Sequence, residues 1–141
     1  MKRQNRHFIT AAFGGAGLLC AVALISFGDT SDLRHLNASN THLLLISGPS
    51  AAIAGLACAG MFGHGGGWGW FFAGAGALLS TILGAAIGGT LLAPLLGTLF
   101  APMIVFWNLV AFPIAGLLWL TSMAALHFVS LKVRGYGVGG N

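Results

Sequence analysis

From Trp68 to Leu131 the chain carries no Asp, Glu, Lys or Arg. A water-soluble domain draws about 25% of its residues from those four types. This chain of 141 residues draws 6%, against 57% hydrophobic residues, and its mean hydropathy is +0.90. A surface so poor in charge needs lipid around it. One helical crossing takes ~20 apolar residues, and the uncharged run is much longer than that. Two crossings joined by an apolar turn fit it.

The whole chain then reads as an all-α integral membrane protein, a small glycine-rich bundle of four transmembrane helices. Residues 1–7 are a basic tail and residues 8–28 the first span. Residues 29–42 form a polar external loop, and the second span covers 43–63. A tight turn at 64–67 leads into a third span over 68–93. Residues 94–102, bracketed by Pro94 and Pro102, read as an apolar turn or re-entrant segment whose backbone protein must shield. The fourth span covers 103–131, and a basic, glycine-rich tail occupies 132–141. Gly48-Pro49 is expected to bend the second span or delay its regular helix. The first span follows the basic "MKRQNR" as a signal peptide would. Its apolar core exceeds the usual ~7–15 residues, and no small-x-small site follows Ile25, so it reads as retained.

Charge gives the orientation. Four spans put Lys2, Arg3, Arg6, Lys132 and Arg134 on one side, while the 29–42 loop on the other carries Asp29, Asp32 and Arg34. The positive-inside rule then places both termini in the cytoplasm, in the setting of a bacterial inner membrane. Three spans would separate the two basic ends. The same distribution argues against nucleic acid as a partner, because no basic stripe crosses a folded region.

"HGGGWGWFF", residues 64–72, reads as the cytoplasmic turn. Gly65 to Gly67 permit the reversal. Trp68 and Trp70 start the next span at headgroup depth, where the indole N–H stays wet while the ring is buried. With Lys132 and Arg134 they are the expected interfacial anchors.

The spans hold no Asp, Glu, Lys or Arg, the groups that mark ion and proton paths through a bilayer. His7, His64 and His127 fall near the cytoplasmic boundary, and His35 and His42 share the opposite loop. His64 and His127 lead as candidate haem or chlorin ligands, through a neutral imidazole nitrogen. Neither sits in a ligand spacing such as H-E-x-x-H or C-x-x-C. Cys20 and Cys58, at depths differing by ~10 Å at 1.5 Å per residue, read as small packing residues. Ser122 and His127, five residues apart, fall on different helix faces, and no acid is near to orient a base.

Glycine is the other signal, with 23 residues. Gly84-x-x-x-Gly88 and Ala51-x-x-x-Gly55 are small-residue faces that let helices approach closely where no hydrophobic force drives them together. In the last span Asn108 is a polar side chain at depth, expected to bond to a neighbouring helix or a backbone carbonyl. Pro113 withholds an N–H from the carbonyl of Leu109 and should kink the helix.

No catalytic residue, metal or cofactor is expected from this inventory. The role it implies is a non-catalytic accessory subunit that packs against a larger membrane complex, respiratory or photosynthetic in kind. Lipid and either partner subunits or further copies of this chain would be its neighbours. Two other readings use the same residues. One is a homo-oligomeric, holin-like pore lined by Ser80, Thr81, Thr90, Thr98 and Asn108. The other is a haem- or chlorin-binding electron-transfer or light-harvesting subunit built on His64 and His127.

Overall fold

A computed structural model describes residues 3–27 and 40–134. Among them the chain is helical throughout, with no strand. Helix α1 spans Arg3–Phe27 and α2 spans Asn40–Cys58, continued by a 3-10 turn at Ala59–Met61. Helix α3 spans Gly66–Leu92, α4 spans Leu96–Ala111, and α5 spans Pro113–Arg134. Glycine-rich strings such as "GGWGWFFAGAGA" are poor helix formers in water, at about 1 kcal/mol per glycine. In lipid the backbone has no other way to satisfy its polar groups, and the helix persists.

Among the described residues three segments are long and apolar enough to cross a membrane: Thr41–Met61, Gly66–Leu92 and Pro113–Arg134. In α1 the apolar stretch among the described residues is His7–Ala23, and α4 is a shorter apolar helix. Of the polar loop expected at 29–42, residues 29–39 lie outside the described residues, as does the tail beyond 134, while residues 40–42 are the first of α2.

Packing is antiparallel from α1 to α4. Phe13 of α1 lies against Gly55 of α2, and one turn on Gly17 lies against Ala51. Gly84 and Gly88 of α3 face Ala51, Ala54 and Ser50 of α2. The small-residue faces anticipated from the sequence therefore meet one another within this chain. Helix α5 returns to pack on α1, and its contact with α3 is sparse. A core of Ile9, Phe13, Cys58, Phe62, Ala73, Ala77 and Leu126 joins α1, α2, α3 and α5 at one end of the bundle. There the Phe13 and Phe62 rings meet edge to face at 5.0 Å. The start of α1 and the close of α5 thus share that end.

Large side chains point the other way. Val110 is 80% exposed, Leu95 79%, Leu99 73% and Trp107 70%. Small residues inside and bulky apolar ones outside are the distribution a lipid solvent allows and water does not.

Several boundaries differ from the sequence reading. Helix α1 begins at Arg3, within the expected basic tail, and α5 runs on to Arg134, past the expected end at 131. Regular helix in α2 is not delayed by Gly48-Pro49; it starts at Asn40 and runs through Pro49. At the 64–67 turn the reversal uses positive φ at Gly63 (76°) and Gly66 (79°), and α3 begins at Gly66, ahead of Trp68. Residues 94–102 are not one turn. The chain reverses over residues 93–95 and helix resumes at Leu96, with Pro102 inside α4. Proline is tolerated there because neighbouring protein can take up the freed backbone group. The predicted fourth span, 103–131, is two helices that part at Phe112. Pro113 cannot donate, so it opens a new helix, where its missing N–H costs nothing. Phe112 N–H bonds to Asn108 O at 2.9 Å and closes α4.

The α3–α4 reversal is unusually tight. Leu95 has φ 66° and ψ −60°, and Leu96 N–H bonds to Pro94 O at 2.9 Å. This is a γ-turn of the rare, strained hand. A branched side chain at positive φ costs about 1–2 kcal/mol. Leu95→Gly should therefore raise thermal stability in detergent by about 1 kcal/mol. An unchanged or lower midpoint would remove the strain from the picture. Just beyond the turn Gly89 and Gly97 meet backbone to backbone. Beside them Thr90 Oγ1 donates to Ala86 O at 2.7 Å, which leaves Thr98 Oγ1 to donate to Thr90 Oγ1 at 2.6 Å.

Candidate functional site

The end of the bundle that carries the start of α1 and the close of α5 also holds the buried His127 and Ser130. Helix α2 finishes at Cys58, and the last carbonyls of such a helix have no intrahelical donor. Arg134, in the final turn of α5, supplies one. Its Nη2 donates to Ala59 O at 3.0 Å and Gly60 O at 3.1 Å. A cation at a helix C-terminus also meets the negative end of the helix dipole. Arg134, expected as an interfacial anchor, is thus half-buried and holds α5 to the α2–α3 turn, while Lys132 beside it is exposed.

The two candidate histidines are brought together here, and their protons can be assigned. Gly63 N–H, which can only donate, bonds to His127 Nδ1 at 3.3 Å. His127 therefore carries its proton on Nε2. Arg134 Nη1 lies 3.4 Å from His64 Nε2, and a guanidinium can only donate. His64 therefore carries its proton on Nδ1. Both remaining N–H groups, Nε2 of His127 and Nδ1 of His64, are buried without a hydrogen-bond partner. His127 itself is 1% exposed. A metal ion or haem iron binds an imidazole lone pair, and here each lone pair already accepts a hydrogen bond. The chemistry this pair offers is hydrogen-bond donation.

Gly63 makes the arrangement possible. Its φ of +76° suits glycine, and a Cβ there would stand 2.7 Å from the carbonyl carbon and oxygen of Ser130. That close approach aims its N–H at His127. Trp70 closes the other side, with its ring 4.6 Å from the His127 ring and 5.4 Å from Phe128, edge to face. Trp68 is 76% exposed and touches Phe71. His7 and His42 lie on exposed positions of α1 and α2. His35 lies outside the described residues.

The remaining residues picked out from the sequence lie elsewhere. Ala51, Gly55, Gly84 and Gly88 form the α1–α2–α3 packing already described. Asn108 is buried in α4, where its Nδ2 donates to Ile104 O at 3.0 Å. Of the two bonds expected for it, this is the one to a backbone carbonyl. Ser122 Oγ donates to Leu118 O at 2.7 Å and is held to its own helix.

Other features had no signal in the sequence. Trp119 Nε1 donates to Thr81 Oγ1 at 2.9 Å and ties α5 to α3. Below it a groove of about 490 Å³ runs between those helices to His127. Above it an apolar cavity of about 180 Å³ lies among all five helices, lined in part by Gly17, Ala51, Gly84 and Ala101. Neither is legible from spacing, because both arise where α3 and α5 fail to close on each other.

The described chain is therefore a small all-helical protein with membrane character and a pair of histidines held by hydrogen bonds at one end. Comparison with known protein families, with curated proteins and with solved structures found no match to any of them.

Proposed function

We propose that this is a four-crossing membrane protein with a structural role: a non-catalytic subunit that packs against, and helps assemble or stabilise, a larger membrane complex. In this reading α1, α2 and α3 cross singly, and α4 with α5 makes the fourth crossing. Both basic ends lie on the cytoplasmic face of a bacterial inner membrane.

One observation carries it. The small-residue faces of α1, α2 and α3 are met by this chain's own contacts, while α4 turns a continuous bulky stripe outward: Leu96, Leu99, Met103, Trp107 and Val110, all exposed. Their spacing of three or four residues is that of one helix face. Bulky side chains presented as a stripe suit a neighbouring membrane helix, as well as lipid. The polar groups that would line a pore are bound within this chain: Ser80 and Thr81 to Ala77 O, Thr90 to Ala86 O, Thr98 to Thr90 Oγ1 and Asn108 to Ile104 O. That weighs against a water-filled path. The histidine tautomers weigh against the haem or chlorin reading in the same way.

Purification of the tagged protein in gentle detergent tests the proposal. A defined set of membrane proteins should co-purify, and Met103→Ala with Trp107→Ala should release them while circular dichroism and elution volume stay unchanged. A protein that is monodisperse alone and catalytically active would overturn it, as would dye leakage from liposomes holding it.

A further inference from the structure

We propose that the groove between α3 and α5 is a binding site for a lipid-soluble molecule bearing a carbonyl oxygen, with the Nε2–H of His127 as its donor. The inference rests on α3 and α5 standing in a bilayer, and it is independent of whether the protein has a partner subunit.

Four observations meet at one place. The groove is about 490 Å³, within the range of small-molecule sites. Its α3 wall includes Ala73, Gly74 and Ala77, small enough to leave room beside the helix, next to Leu78, and Trp119 and Met123 of α5 stand opposite. All of these are apolar apart from the Trp119 indole N–H, which is taken by Thr81. At its basic end lie Trp70 and His127. There the Gly63 N–H fixes the tautomer of His127, so that its one free polar atom is a buried donor with no acceptor.

A donor in that position selects its ligand. It does not suit a metal, which needs a lone pair, or an ammonium, which needs an acceptor. An alkane would fill the groove and leave the N–H unmet, at the cost of a buried unsatisfied donor. A molecule with an apolar body and a carbonyl at one end satisfies both. The body lies against Ala73 and Ala77, and the oxygen accepts from Nε2 once the Trp70 ring turns aside. That ring stands 4.6 Å from the His127 ring at the same end of the groove, and Nε2 is itself fully covered. His127 stands seven residues before Arg134 in α5, about 10 Å along the axis at 1.5 Å per residue. That is deep enough for the head of an isoprenoid quinone or the ester of an acyl lipid, the two membrane sources of such a carbonyl.

The test uses the full-length protein in detergent with Trp68→Phe and Trp107→Phe, so that fluorescence reports Trp70 and Trp119. It is titrated separately with decylubiquinone, with phosphatidylcholine carrying a brominated acyl chain, and with hexadecane as the carbonyl-free control. Saturable quenching by one or both carbonyl probes is expected, and which of them quenches identifies the source. Hexadecane, itself no quencher, should compete weakly. His127→Phe should weaken binding by about three- to tenfold, the worth of one hydrogen bond. His127→Gln, which keeps a donor, should recover part of it, and Ala77→Leu should fill the groove and abolish it. In the unmutated protein the Nε2–H resonance of His127 should move downfield with the same saturation curve, a readout that needs no variant to fold. The proposal is overturned if neither carbonyl probe saturates, if His127→Phe binds as tightly as the parent, or if the Nε2–H resonance does not move.

Discussion

Gly63→Ala is expected to destabilise the protein by about 2–5 kcal/mol, the sum of a residue forced to positive φ and an overlap with fixed backbone. The two terms separate along the turn itself. At Gly60 the φ is not positive and a Cβ would meet nothing within 4 Å, so Gly60→Ala should fall within ±0.5 kcal/mol. At Gly66 the φ is +79° but the space is open. Gly66→Ala should therefore show the conformational cost alone, about 1–2 kcal/mol. At Gly63 the φ is +76° and the nearest atoms are the carbonyl of Ser130 in α5, which cannot rotate away as a side chain would. Thermal denaturation of the three variants in one detergent measures the series. The order should be Gly60, Gly66, Gly63. Equal losses at Gly63 and Gly66 would mean that α5 does not pack against the turn.

Gly89→Ala should be the second severe substitution, at about 3 kcal/mol or more, because the α3–α4 hairpin brings backbone against backbone at this point. A Cβ at Gly89 would collide with the carbonyl of Gly97 and stand 2.6 Å from Ala101 Cβ. The damage should be local. The Thr90–Thr98 bond next to it should open, and protease or hydrogen exchange should find α4 detached while α1 to α3 stay protected. Gly84→Ala and Gly88→Ala provide the contrast. Their nearest neighbours would lie at 3.6 Å and 3.4 Å, ordinary contact distances. Replacing helical glycine by alanine gains up to about 1 kcal/mol where the space exists. Both should be neutral or mildly stabilising, and a large loss at either would put the tight contact where the G-x-x-x-G spacing suggests it.

That contrast shows what the sequence could and could not carry. Hydropathy and the absence of charge made the helical, membrane-suited character plain, because lipid permits few backbone solutions. Pro113 and the glycine turn before Trp68 were visible as breaks for the same reason. Which glycines bear a backbone contact was not visible. Gly84 and Gly88 match a spacing pattern, yet Gly89 and Gly97 make the closest backbone approach between two helices, since closeness depends on a crossing angle that spacing does not encode. Pro102 looked like a boundary because proline ends helices in water, and it proves to lie inside α4. His64 and His127 were singled out as a pair, and they do converge. Their chemistry was hidden, because it depends on Gly63 and Arg134, neighbours distant in the chain that set which ring nitrogen holds the proton. Ligand candidates by residue type became hydrogen-bond donors by geometry.

The even number of crossings is the claim on which the proposed role and orientation stand. Single cysteines at Gln4, Ser39 and Asn141, placed in a Cys20→Ala, Cys58→Ala background, can be labelled with a membrane-impermeant maleimide. Cells with a permeabilised outer membrane and inverted inner-membrane vesicles expose opposite faces. Gln4→Cys and Asn141→Cys should both stay unlabelled in the cells and both react in the vesicles, with Ser39→Cys doing the reverse. Labelling of the two terminal cysteines from opposite faces would contradict the four-crossing arrangement outright.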